Sequence, residues 1–370
     1  MTLQEEIENK LKDIKTVSYD MSIGELISLY EKEELDIHPE FQRFFRWTQL
    51  QKTKLIESLL LGIPIPPIFV SQREDGVWDV IDGLQRLSTI FGFIGILEEE
   101  NGEIMSPTPL LKTDYLPSLE NKKWEEQPDS GNSLISSQRL IIKRAKIGII
   151  IIKEETGAEM KYELFQRLNT LGSRLSSQEV RNCLMVMIDR DFFYWIKNLS
   201  EYEPFVTCLS LPDKMVEEQE NLELVLKFFI FKNIDIREVS KMNDLSDFIT
   251  KKMREFCKNP DFDRQKEEEI FKKTFDKLLI SLGEESFKRY YSDKDTFKGK
   301  FLISVFESLA VGIGTNIDLW DDEENFIEKI RLKTKSLWSN QIFISNSGSG
   351  SNVRGRALKT VPLGKELFKP

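Results

Sequence analysis

Residues Trp78–Ile90, WDVIDGLQRLSTI, carry the chain from an apolar strand through Asp82-Gly83 into a helix whose first turn holds Gln85 and Arg86. A helix N-terminus leaves backbone N–H groups unsatisfied and presents the positive end of its dipole, so this turn suits an anion. Gly83 would let a phosphate approach the backbone, and Arg86 adds a planar fork of donors. Asp82 supplies a carboxylate able to hold a metal or orient water. A plainer reading competes. Asp-Gly is a common turn, in which Asp82 simply caps the helix.

Working outward, Ile37–Trp47 reads IHPEFQRFFRW and leads into TQLQKTKLIESLLL. Thr48 with Gln51 has capping-box spacing, and Leu55, Ile56, Leu59 and Leu60 form a stripe for burial. Gly62 suits the helix end, and Pro64, Pro66 and Pro67 stop the helix from continuing. Ile68–Val70 and Val77–Ile81 flank Glu74-Asp75-Gly76, which predicts a hairpin. Residues 36–97 therefore read as an α+β unit of loop, helix, strand, turn, strand and helix. It carries two polar pairs, Gln42-Arg43 and Gln85-Arg86.

These motifs resemble the domain-of-unknown-function 262 family, the ParB/sulfiredoxin-like N-terminal domain of GmrSD- and SspE-type restriction proteins. The residues that carry the resemblance are Pro39-Glu40-Phe41-Gln42-Arg43, Trp47, the helix ending in Leu-Gly-Ile-Pro, and Ile81-Asp82-Gly83-x-Gln85-Arg86-Leu87. Phe165–Leu184, with Asn169, Gly172, Glu179 and Arg181-Asn182, is similar to the family's second motif segment. The resemblance is dense over 36–95 and loose over the remaining helical half. It implies NTP binding, often with hydrolysis, in phage defence, usually coupled to nuclease action on DNA. It also implies a nucleotide site of Gln42, Arg43, Gly83, Arg86, Asn169 and Gly172. Asp82, Gln85 and Arg86 would be its catalytic groups, with Mg²⁺ on Asp82. One departure bears on hydrolysis: Leu84 stands where the family usually has Gln.

Composition narrows the function classes. A chain of 370 residues with 40% hydrophobic content can fill more than one core. Cys183, Cys208 and Cys257 are too few and too scattered for a disulfide framework or a zinc knuckle. The acidic, amphipathic N-terminus lacks a signal-peptide core, and the apolar run Ile147–Ile152 is far too short to span a bilayer. The expectation is a soluble cytoplasmic protein with no membrane partner. A net charge of −10 repels nucleic acid at long range, so DNA contact would need a focused basic surface. Candidate patches are Lys143–Lys146, Arg331–Lys335, and Arg354, Arg356 and Lys359, each more readily read as a solvated edge or a helix C-terminal charge. Phe41 and Trp47 could stack on a base or anchor a core.

Absences are informative too. His38 is the single histidine, which removes an HNH nuclease centre, a His-containing zinc site and a Ser-His-Asp triad. No Walker A sequence occurs.

The expected organisation is a ParB/sulfiredoxin-like domain with a small mixed sheet over residues 1–185, then a mostly helical domain over 186–370. Residues 98–138 read as an insertion or long loop, Ile147–Ile152 as a returning strand, and Ala158–Leu168 as helix. A flexible Gly/Ser loop at 346–352 precedes a basic tail from Val353 to Lys359. The expected function is a nucleotide-binding sensor or regulator of a prokaryotic antiphage or restriction system, acting on an effector nuclease or toxin in a partner chain. The alternatives are a component that reads modified DNA, with Arg354 and Arg356 among its contacts, or a non-catalytic scaffold. Identity of the nucleotide and oligomeric state, a homo-oligomer included, stay open at this point.

Overall fold

A computed structural model describes residues 2–12, 15–37, 47–99, 101–126, 131–156, 163–164, 177–241, 244–321, 323–347 and 353–370. The chain forms two compact units, Met1–Leu175 and Ser176–Pro370. The architecture is α+β. No helix among the described residues is long and apolar enough to cross a membrane.

The first unit runs α1 (Leu3–Lys12), β1 (Thr16–Ser22), α2 (Ile23–Glu31), β2 (Leu35–Asp36), α3 (Gln49–Leu61), β3 (Ile68–Gln72), β4 (Trp78–Asp82), α4 (Leu84–Ile94), α5 (Ser136–Arg144) and β5 (Lys146–Ile152). The strands form one mixed sheet in the order β1-β5-β3-β4-β2. β3 pairs antiparallel with β4 as the predicted hairpin, and β2 lies parallel to β4 with Asp36 opposite Asp79. Along β5 the residues Ile147, Ile149 and Ile151 point into the core at the period of two that a pleated strand imposes. They meet Ile23, Ile56, Leu87, Ile90 and Phe91, each contributing about 1.5–3 kcal/mol by leaving water.

Local chemistry sets the helix ends. Ser22 with Glu25 and Thr48 with Gln51 both form reciprocal capping boxes, and Gly62 closes α3 at φ +70°. The left-handed conformation at Gly62 is one that a Cβ would disfavour.

Residues 98–138 were expected as an insertion or long loop. The segment is irregular but built into the unit, with Leu110, Leu119, Trp124 and Leu134 buried in the same core. α3 pins it: Glu57 accepts from the Thr113 hydroxyl and, at 3.2 Å, from the Leu116 N–H, while Thr53 accepts from the Leu111 N–H at 3.0 Å. Scattered apolar residues without a period conceal such packing from sequence reading. α5 was likewise not foreseen, because Ile142 is its one buried residue and no stripe announces it. The expected helix at 158–168 lies outside the described residues, except for 163 and 164.

Among the described residues the second unit is helical apart from one short hairpin: α6 (Ser177–Ile188), α7 (Arg190–Ser200), α8 (Glu203–Leu209), α9 (Asp213–Glu217), α10 (Glu220–Asn233), α11 (Leu245–Lys258), α12 (Arg264–Ser281), β6 (Arg289–Tyr291), β7 (Thr296–Lys298), α13 (Ile303–Thr315), α14 (Ile317–Asp321), α15 (Phe326–Leu337), α16 (Gln341–Asn346) and α17 (Val353–Leu367). α10 is buried on all sides from Leu224 to Phe231, and Phe228 and Phe229 pack on Phe271 of α12. α13 and α17 approach backbone to backbone, since a Cβ on Gly364 would land on the Ser308 carbonyl.

The basic stretch Val353–Lys359 is therefore the first half of a packed helix and not a tail. Ala357 and Thr360 are fully buried, and Arg356 is bonded to the buried Glu307 at 3.0 and 3.1 Å. Small residues at 355, 357 and 364 suit close helix contact, a signal that the basic charges concealed in the sequence. Within the loop read at 346–352, residues 348–352 lie outside the described residues.

Candidate functional site

β4 delivers Asp82 to the sheet edge, and the chain then turns at Gly83 with φ +105°. Only glycine fits there. The conformation is left-handed, and a Cβ would sit 2.8 Å from Ile68 Cγ1. α4 begins at Leu84 with no side chain capping it, so the expectation that Asp82 caps the helix is corrected. The N-cap position belongs to Gly83, and Asp82 stands one residue too early to reach the first-turn N–H groups.

Asp82 turns instead to Arg86, with Oδ2 accepting from Nη2 at 2.6 Å. Arg86 Nη1 donates to the Pro66 carbonyl at 2.5 Å and to the Pro67 carbonyl at 3.1 Å. The guanidinium is buried and ties the proline loop, the strand end and the helix together. Asp82 Oδ1 has no hydrogen-bond partner among the described residues, and its side chain stays 39% exposed. That oxygen is available to a cation or a water. Leu84, the departure from the family pattern, packs against the apolar core.

Gln85 accepts from the Trp47 N–H at 3.4 Å. Because β2 runs parallel to β4, the buried Ile37 leaves the sheet at the same end as Asp82. The Gln85 bond joins Trp47 to the first turn of α4. His38, Phe41, Gln42 and Arg43 themselves lie outside the described residues, as do Asn169 and Gly172.

A second charged centre was missed by sequence reasoning. Arg73 bonds to Asp36 at 2.6 Å and also to Asp79. Burial pulls the Arg73 pKa down, but the bonds to Asp79 and Asp36 outweigh it and leave it raised. The Asp36–Asp79 register across parallel strands creates this centre, and no sequence spacing reveals that register.

The Glu179–Asn182 part of the second motif segment lies in α6, in the second unit. Arg181 is buried and donates to Gln178 at 2.8 Å, to Ser246 at 3.0 Å and to Glu223. Glu223 also pairs with Lys227 at 2.5 Å. Burial raises the Glu223 pKa, but Lys227 and Arg181 outweigh it and hold the group below the usual carboxylate range. The same burial, opposed only by more distant cations, leaves Glu220 raised. This network braces α6 against α10 and α11. Arg354, proposed as a partner or nucleic-acid contact, reaches the Ser240 carbonyl at 3.4 Å, and Arg356 is engaged by Glu307.

Residues 23–186 match the family model described as GmrSD restriction endonuclease, N-terminal domain. The matched stretch is 164 of the 370 residues and is similar to that N-terminal domain. No curated protein and no solved structure matches the chain. The GmrSD N-terminal match starts at α2 and ends within α6, so it takes in the whole Asp82 turn and the Glu179–Asn182 stretch. The helical remainder from 187 to 370 lies beyond it. Among the described residues no group of three His, Cys, Asp or Glu side chains is placed to hold a metal.

Proposed function

We propose that the chain is a nucleotide-binding sensor or regulatory component of a restriction or antiphage system, controlling an effector nuclease or toxin carried by a partner chain. The observation that supports this reading is the uncapped N-terminus of α4 beside the half-exposed Asp82 carboxylate, with Gln85 of its first turn bonded to the Trp47 N–H. Gln42-Arg43 come shortly before Trp47 in the sequence, and the reading assigns them to the phosphate. A nucleotide phosphate would meet the first N–H groups of α4 and the Arg43 guanidinium. Asp82 Oδ1 would hold Mg²⁺, and Gln85 would position phosphate or water. Arg86 serves as a positioning residue here, since its fork already holds Asp82 and the proline loop.

Titration of wild type, Arg43→Ala and Gln85→Ala with ATP and GTP in Mg²⁺ tests the reading. A loss of about tenfold or more in affinity for Arg43→Ala, with an unchanged melting temperature, is the expected result. Equal binding by all three proteins, or none by wild type, would sink it.

A further inference from the structure

The second unit carries a groove of about 680 Å³ between the β6–β7 hairpin and the C-terminal ends of α15 and α16. Its walls include Arg289, Lys298 and Lys300 and the rings of Tyr290, Tyr291 and Trp338. None of the three cations has a carboxylate partner among the described residues, in a chain whose net charge is −10. Asp293 is the one carboxylate on the walls.

The groove is braced before any ligand arrives. The Arg289 guanidinium lies 5.4 Å from the Tyr291 ring centre and 5.7 Å from that of Trp338, held by two aromatic faces. Tyr290 donates its hydroxyl to Asp295 at 2.8 Å, and Lys335 of α15 bonds the same carboxylate, fastening the hairpin to the helix. Tyr291 leaves 40% of its surface to solvent. Trp338 Nε1 is buried without an acceptor.

We propose that this groove binds single-stranded nucleic acid, with backbone phosphates on Arg289, Lys298 and Lys300 and a base against the exposed Tyr291 ring. The two halves of the chemistry point the same way. Unpaired cations in an otherwise acidic chain serve a polyanion, and the exposed Tyr291 ring among them serves an unstacked base, which a duplex does not offer. The Arg289 fork, oriented by Tyr291 and Trp338, reads a phosphate with little loss of side-chain freedom. This site is separate from the Asp82 turn and does not depend on nucleotide binding there.

The test is fluorescence anisotropy on the full chain with a labelled twelve-base single strand of mixed sequence, the matching duplex, and free ATP. Wild type is expected to bind the single strand at low salt, with a log–log salt slope of about −2 for three phosphate contacts. Arg289→Ala/Lys298→Ala/Lys300→Ala should lose about tenfold or more in affinity and most of that slope. Tyr291→Ala should lose about tenfold with the slope unchanged. All these side chains are on or near the surface, so circular dichroism and melting should match wild type. Charge reversal by Lys298→Glu/Lys300→Glu gives a second, sharper loss. The proposal is overturned if wild type ignores the single strand at low salt, if the triple variant binds as tightly as wild type, or if the duplex competes equally and Tyr291→Ala has no effect. ATP binding that is lost in Arg43→Ala but kept in the groove variants separates failure here from failure at the Asp82 turn.

Discussion

Arg86 Nη2 lies 2.6 Å from Asp82 Oδ2, one helical turn along the chain, while its Nη1 holds the carbonyls of Pro66 and Pro67. One guanidinium therefore joins three pieces of backbone. Arg86→Ala is expected to lower stability by about 1.5–3 kcal/mol, because two carbonyls and a carboxylate lose a charged donor. Urea denaturation measures it. Arg86→Lys keeps the charge but not the fork, and should recover less than half of the loss. A variant as stable as wild type would contradict this structural role.

Gly83 and Gly76 separate two costs. Both have positive φ, +105° and +89°, but only at Gly83 does an added Cβ strike a neighbour, Ile68. Gly76→Ala should cost about 1 kcal/mol from backbone strain alone. Gly83→Ala should cost about 2–4 kcal/mol, adding the displacement of a core side chain. Thermal melts of the two variants side by side give the difference directly.

At the contact of α13 and α17 there is no side chain to give way. Gly364→Ala would place a methyl group on the Ser308 carbonyl of α13, so the helices must separate. A loss of about 3 kcal/mol or more is expected, at the upper end for overpacking. Gly102→Ala, with nothing within 4 Å of its Cβ position, is the matching control at a positive φ.

Two thiols should be silent in the native state. Burial pushes both Cys208 and Cys257 up to about 12. A thiol-specific chromophoric reagent at pH 8 is expected to label Cys183 at most, and all three cysteines after denaturation. The sign of the linkage follows. These folded-state values lie above the unfolded one, so the stabilisation is complete below about pH 8.5 and fades as pH rises toward 12. Cys208→Ala/Cys257→Ala should flatten that alkaline decline. An equally steep decline in the double variant would assign it to other groups.

Features that rest on near neighbours were legible in the sequence: the Thr48–Gln51 capping box, the Gly62 stop, the β3–β4 hairpin and the Asp82-Gly83 turn. What stayed hidden depends on distant partners. Nothing in Pro66 or Pro67 announces that their carbonyls will accept from Arg86. The Arg73–Asp36–Asp79 cluster exists only once β2 and β4 lie in register. The β6–β7 hairpin was lost because Ser292-Asp293-Lys294-Asp295 joins strands too short to show a period. The helical state of Val353–Lys359 is hidden because Gly355, Pro362 and Gly364 look like helix breakers, whereas all three sit in a helix that packs against a neighbour at close range.

The burial of α10 has a kinetic counterpart. With Leu224–Phe231 shielded on every side, no local opening exposes their amides, and hydrogen exchange there must wait for the whole helical unit to come apart. Rim helices such as α9, with no buried residue, should exchange first. The slowest amides of α10 would thus act as an internal clock for global unfolding, and a ligand that tightens this unit would slow that clock even if it bound far from the helix.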